Sequence, residues 1–289
     1  MNTSEIIAAH EAKGHYIEID NIRTFVLEEG KGEPILCLHG VPSSSFLYRK
    51  ILPVLGRRGY RAISFDFPGL GLSDRPGDFD YSWHGIAAFA KKVTAALNLN
   101  KYHLVIHDIG GPIGLLLASL EPGKISSLTI LNTVIEVSTF HRPWSMHPFS
   151  IPVIGELWLA TLNHFSAYIL FSMQAIGDLG SVSRQEVYAY VDLLKRADGG
   201  AAFLKIMRSF NLDKETEEKC IGALKGVASK QVIWGKDDPA LALETFGERA
   251  RQLAEVSEIH TLPGKHFFQE DQAKPIAEKI AGFVNSLKK

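Results

Sequence analysis

Six short runs of apolar and β-branched residues, with no sustained polar alternation, recur along this chain, and each ends at a turn. Pro34–Leu38 ends at His39-Gly40, Tyr60–Phe65 at Asp66, and Tyr102–Ile106 at His107-Asp108. Leu128–Leu131, Gln231–Trp234 and Glu258–Leu262 repeat the pattern, and most of the runs are followed by a helical pattern. Strands apolar on both faces are those of a parallel sheet covered on both sides by helices. Ahead of them, His15–Asp20 and Thr24–Glu28 read as two strands joined by a turn at Asp20-Asn21. The fold class expected is α/β, a mostly parallel central sheet flanked by helices, and 289 residues suit one such domain. In open parallel sheets ligands bind beyond the carboxyl ends of the strands, and here those ends carry Gly, Pro, Asp and His.

The rhythm breaks between Ile135 and Phe210, where helical patterns replace strands and much of the aromatic content gathers. Ser183 and Glu186, three apart, form a capping box that opens a helix toward Lys195. A helical insert of this kind reads as a cap over the strand ends. The expected organisation is a core built from 1–134 and 211–289, with 135–210 as the cap.

Lys+Arg 31 against Asp+Glu 32 leaves a net charge of −1, which gives no electrostatic reason to expect nucleic acid or an acidic membrane as partner. The most membrane-like stretch, Phe149–Met173, is interrupted by Pro152, Glu156, Asn163 and His164, so no membrane insertion is expected. The N-terminus has no secretory pattern, and Cys37 and Cys220 make no disulfide framework. A cytoplasmic location follows as the expectation, with the oligomeric state open. No Cys/His cluster or H-E-x-x-H suggests a metal, Gly69-Leu-Gly71 lacks the rest of a phosphate loop, and no cofactor is implied.

Chemistry concentrates in Leu104-Val-Ile-His-Asp-Ile-Gly-Gly-Pro-Ile-Gly114. A strand, a tight turn and a helix in that order make an elbow that exposes Asp108, with Gly110 as the small residue two places on. Ile106, two places before, stands where a small residue is usual. Val232-Ile-Trp-Gly-Lys-Asp-Asp-Pro239 follows with an acidic turn, and Leu262-Pro-Gly-Lys-His266 puts a histidine on a loop. Nucleophile, acid, histidine is a triad order. Asp238 is the candidate acid, and spacing does not separate it from Asp237. Backbone N–H groups of Val41 and Ile109 are the candidate oxyanion hole, each donor worth about 3–4 kcal/mol to a charged intermediate.

His39-Gly-x-Pro42, Asp66-Phe-Pro-Gly-Leu-Gly-Leu-Ser-Asp74, His107-Asp-x-Gly-Gly111, Trp234-Gly-x-x-Asp238 and His266-Phe-x-Gln-Glu270 together resemble the haloalkane dehalogenase and epoxide hydrolase branch of the α/β-hydrolase superfamily. The resemblance implies an Asp108 nucleophile that forms an alkyl ester, water activated by His266, and a small apolar organic substrate. It also exposes a departure. Dehalogenases place a Trp after the nucleophile and an Asn or second Trp elsewhere as halide donors, where this chain has Ile109 and Val41. Trp144 and Trp158 are the remaining indoles of the insert. Epoxide hydrolases use a pair of cap tyrosines, for which Tyr168, Tyr188 and Tyr190 are available. Tyr188 and Tyr190 lie two apart on one helix and face different ways. A dehalogenase-like hydrolase is the first reading, an epoxide hydrolase the second, and a non-catalytic binder of small hydrophobes the third.

Overall fold

The computed structural model describes residues 1–288. Eight strands form one sheet: β1 Gly14–Ile19, β2 Ile22–Glu29, β3 Glu33–Leu38, β4 Tyr60–Phe65, β5 Tyr102–Asp108, β6 Ile125–Thr133, β7 Lys230–Gly235 and β8 His260–Leu262. Their spatial order is β1-β2-β4-β3-β5-β6-β7-β8. β1, β2 and β4 pair antiparallel, and every pairing from β4 onward is parallel. The first hairpin turns on Asp20 and Asn21 at φ 51° and 61°, the left-handed conformation that a two-residue turn needs and that Asp and Asn tolerate.

Helices α1 Thr3–Glu11, α2 Leu52–Arg57, α3 Trp83–Ala96 and α4 Gly110–Leu120 precede β6 or lead up to it. Between β6 and β7 lie α5 Ile154–Thr161, α6 His164–Leu170, α7 Arg184–Lys195, α8 Ala201–Arg208 and α9 Lys214–Gly226, with no strand among them. The chain closes with α10 Glu248–Ala254, α11 Phe268–Asp271 and α12 Ala273–Ser286. The central strands are buried on both faces: Ile35 to Leu38, Leu104 to Ile106 and Val232 to Trp234 are each 0% exposed. That burial accounts for their unbroken apolar runs, since each large apolar side chain removed from water contributes about 1.5–3 kcal/mol. Among the described residues no helix is long and apolar enough to cross a membrane; Pro152 and Asn163 each fall at a helix start and divide the greasy stretch into α5 and α6.

The helical segment is fastened to the sheet side by buried polar groups. Ser183 and Glu186 cap α7 reciprocally, as their spacing suggests. Arg49, just after the β3 loop, reaches Glu186 at 2.7 Å and Glu270 at 2.5 Å, and Lys50 reaches Glu270 at 2.8 Å. Glu270 is also the acceptor for the Tyr190 hydroxyl. Two cations and two carboxylates thus balance one another inside the protein. Removing one partner of such a cluster costs about 3–5 kcal/mol, because the other charge stays buried.

Candidate active site

β5 delivers His107 and Asp108 to the carboxyl edge of the sheet, where the chain turns into α4. Asp108 adopts φ 51°, so the strand reverses sharply and its side chain stands clear of the backbone. A Cβ at Gly110 would approach the Leu38 and His39 carbonyl oxygens to 2.7 and 2.5 Å, so the turn passes too close to β3 for any side chain. At Gly114 a Cβ would meet Ile106 Cγ2 at 2.5 Å. The large residue before the elbow therefore occupies space that a glycine in the following helix leaves open. Thr133, at the end of β6, donates its hydroxyl to the Asp108 carbonyl at 2.5 Å and pins the turn.

The Asp108 carboxylate has a partner on each oxygen. The Val41 N–H donates to Oδ1 at 2.7 Å, and His266 Nε2 lies 3.3 Å from Oδ2. His266 Nδ1 donates to Asp238 Oδ2 at 2.7 Å. Asp238 is buried and fully engaged: Asn132 Nδ2 donates to Oδ2 at 2.7 Å, and the Ala240 and Leu241 amides donate to Oδ1 at 2.8 and 3.0 Å. Asp237, by contrast, is exposed and accepts from the Gly264 N–H at 3.1 Å, holding the turn before the histidine. The structure thus separates the two neighbouring acids that spacing left equal.

Charge follows from these contacts. Burial pushes the Asp108 carboxyl up, but the hydrogen bond and charge of His266, with the Ile109 amide, hold it below the usual carboxylate range. Burial likewise opposes ionisation of Asp238, and His266, the Leu241 amide and Asn132 outweigh it. For His266 burial lowers the pKa, while Asp238 and Asp108 together raise it to about 10. The resting site therefore holds an imidazolium between two carboxylates. His39 is buried; its Nδ1 faces the Gly40 carbonyl at 2.9 Å while Nε2 accepts from the Phe67 N–H at 3.1 Å, which fixes the tautomer and shapes the loop carrying Val41. His107 Nε2 donates to the His266 carbonyl at 2.9 Å, and burial keeps the ring neutral, with a pKa lowered to about 3.

Asp108 and His266 open on a cavity of about 800 Å3, counted with its mouth. Its wall is mainly apolar, drawn from Val41, Ile109 and Phe267 on the sheet side and Phe140, Leu170 and Met207 on the helical segment. That lining suits a small apolar molecule. A family model described as the alpha/beta hydrolase fold matches residues 33–273. The chain belongs to that family. A haloalkane dehalogenase of Psychrobacter cryohalolentis is 28% identical over 295 residues, covering 94% of this chain and 92% of its own. Among solved structures, the haloalkane dehalogenase DbeA of Bradyrhizobium elkani superposes with a TM-score of 0.79 at 22% identity, covering 95% of this chain and 98% of its own. The epoxide hydrolase VrEH1 of Vigna radiata gives 0.76 at 21%, covering 94% and 98%.

In this α/β hydrolase the five aromatic candidates of the insert do not line the cavity with Asp108. Trp144 is 64% exposed on the outer surface. Trp158 donates its indole N–H to the Ser145 carbonyl at 3.1 Å. Tyr168 lies under the Arg184 guanidinium, and Tyr188 stacks on His164 with centroids 4.4 Å apart. Tyr190 is buried, its hydroxyl committed to Glu270. The polar side chains that the insert does bring to the cavity are Arg142, Ser145 and Gln174, none of them singled out by sequence. No local motif marks them. Asn132 also went unread: at the end of an apolar strand it looks like a strand terminus, yet it binds Asp238 and accepts from the Gly235 N–H at 2.8 Å.

The raised pKa of His266 has a signature in stability. A group whose folded pKa exceeds its unfolded value of about 6.5 stabilises fully below that value and loses the contribution as pH rises through the folded one. The melting temperature of wild type relative to His266→Gln should therefore fall between pH 6.5 and about 10. Melts of both proteins across that window test it; a difference that does not change with pH would remove the imidazolium from the resting site.

Proposed function

We propose that this α/β hydrolase cleaves small apolar alkyl halides through an ester on Asp108, as a haloalkane dehalogenase does, with 135–210 as its cap. The observation that carries the reading is the placement of the Asp108 carboxylate. It sits on a strained elbow in the wall of an apolar cavity, with Oδ1 on the Val41 amide and Oδ2 beside His266. A carboxylate so held can displace a leaving group at saturated carbon, as a serine hydroxyl without prior deprotonation cannot.

In the first step Oδ2 bonds to the substrate carbon while the carbon–halogen bond breaks and its electron pair leaves with the halide. Oδ1 becomes the ester carbonyl, still on the Val41 N–H. Esterification removes the negative charge of Asp108, one of the two that hold His266 protonated. The imidazolium then releases its proton to bulk solvent, the proton that accompanies the halide in the overall reaction, and the neutral ring becomes the base that takes a proton from water. Water adds to the ester carbon, and the negative charge that develops on Oδ1 is met by the Val41 and Ile109 amides. Collapse breaks the carboxyl carbon–Oδ2 bond, the second water proton passes to the departing oxygen to give the alcohol, and the carboxylate with the water oxygen and the imidazolium of the resting site are restored. The halide reading is favoured over an epoxide because an opening epoxide leaves an alkoxide that needs a proton. Among the described residues no tyrosine hydroxyl lines the cavity to supply one, and the His266 imidazolium has both ring nitrogens on carboxylates.

The scheme is tested by a single turnover in water labelled with heavy oxygen. The label should appear in Asp108 and the first alcohol released should be unlabelled. Label in the alcohol with none in Asp108 would mean direct attack by water and would overturn the ester.

A further inference from the structure

Displacement at Asp108 sets an anion free in a largely apolar cavity, and an anion formed there needs a hydrogen-bond donor to meet it. The two amides nearest the site, at Val41 and Ile109, already serve the carboxylate. Gln174 offers another donor. It lies in the single wide turn Phe171–Ala175 that follows α6, and its own carbonyl accepts from the His266 N–H at 3.3 Å, so its backbone is tied to the histidine loop. Its side-chain oxygen is engaged as well. Ser145 donates its hydroxyl to Gln174 Oε1 at 2.7 Å, and Ser145 is in turn fixed by the Trp158 indole on its carbonyl at 3.1 Å. With Oε1 held, the amide nitrogen is the free end. Gln174 Nε2 has no acceptor among the described residues, although Gln174 lines the same cavity as Asp108 and His266. Arg142 adds a positive charge to this wall. It forms no ion pair among the described residues, donates to the Met207 carbonyl at 2.9 Å and lies 4.5 Å over the Phe210 ring.

We propose that the Gln174 side-chain amide is the donor that receives the leaving group, oriented by Ser145 and Trp158. The inference rests on the ester chemistry proposed above and narrows its substrate class. A carboxamide can donate a hydrogen bond but does not surrender its proton at neutral pH. It therefore serves a leaving group that departs as a stable anion, a halide first, and not one that departs as an alkoxide. The balance is simple: the Asp108 Oδ2–carbon bond forms, the carbon–halogen bond breaks, the electron pair goes to the halide, and no proton moves. Trp158, which carries one of the insert's indoles, acts two bonds removed as a positioning residue.

The test measures the rate of adduct formation on Asp108 by quenched-flow intact-mass analysis with 1-chloro-, 1-bromo- and 1-iodohexane. Wild type is compared with Gln174→Met and with Ser145→Ala, which leaves Gln174 in place but unanchored. Gln174→Met should slow the step about 10- to 100-fold, most for chloride and least for iodide, because the poorest leaving group depends most on a donor. Ser145→Ala should show the same order with a smaller loss. An equal slowing of all three halides, or none, would overturn the proposal while leaving Asp108 as nucleophile. Chloride binding to Asp108→Asn, read as chlorine NMR line broadening, separates the two ideas. Absence of any adduct with all three halides in the His266→Gln background would overturn the ester scheme. In that case chloride broadening lost in Asp108→Asn/Gln174→Met would still place an anion donor at Gln174, and unchanged broadening would overturn it too.

Discussion

Asp108→Asn should fold as wild type does and lose turnover by at least about 10,000-fold, the scale of loss when the nucleophile of a covalent hydrolase is removed. Folding should survive for a backbone reason. Position 108 sits at φ 51°, and Asn enters that left-handed region more readily than nearly any other residue bearing a side chain. Its Oδ1 can still accept from the Val41 N–H, and its amide can face the neutral form of His266. The elbow itself is held by Thr133 on the Asp108 carbonyl and by the close passage of Gly110, neither of which the substitution touches. The stability change should stay within about 2 kcal/mol, since one charged contact is lost while a half-buried charge no longer needs desolvation. Chemistry should not survive, because a neutral amide oxygen is a far weaker nucleophile toward saturated carbon than a carboxylate. The measurements are a thermal melt and halide release with a panel of haloalkanes. A folded variant retaining more than a tenth of wild-type turnover would remove Asp108 from its role.

Much of this architecture was legible before any coordinates, for a local reason. Ile35–Leu38 and Leu104–Ile106 are buried on both faces, and total burial forces unbroken apolar sequence. The elbow was legible because a sharp strand-to-helix turn imposes small residues at set places. Ile106 looked like an exception only because its compensation, the missing side chain of Gly114, lies a turn and a half of helix away. The histidine and its acid were readable from chain order, whereas choosing Asp238 over Asp237 needed the positions of Asn132 and Gly264. The cavity wall was least readable. Which face of a helix in the insert meets the cavity depends on how α5 to α8 pack, and aromatic residues there serve packing as readily as catalysis. Trp158 illustrates the point: one of the two indoles available in the insert, it supports Ser145 and does not line the cavity. A glutamine with an unused amide end has no sequence signature at all.

His266→Gln should permit one turnover and no more. Its first half-reaction needs only the Asp108 carboxylate, and loss of the imidazolium beside Oδ2 does not slow attack by that oxygen. Halide should therefore appear as a burst of about one equivalent per enzyme. The second half-reaction needs a base to take a proton from water, and glutamine has none to offer at any working pH. General-base catalysis of this kind is worth about 100- to 10,000-fold, so the ester should persist long enough to be isolated. On the proposed route the base in wild type is created by the reaction itself. Two carboxylates hold His266 protonated in the resting enzyme, with a pKa near 10, and alkylation silences one of them. Ester hydrolysis in wild type should accordingly speed up as pH rises through an apparent pKa below 10, whereas the slow decay of the His266→Gln ester should lack that inflection. Intact mass should show one alkyl group added per chain, and peptide mapping should place it on Asp108. An adduct on another residue, or sustained turnover by His266→Gln without accumulation, would mean that His266 does not activate the water and that the two-step route through Asp108 is wrong.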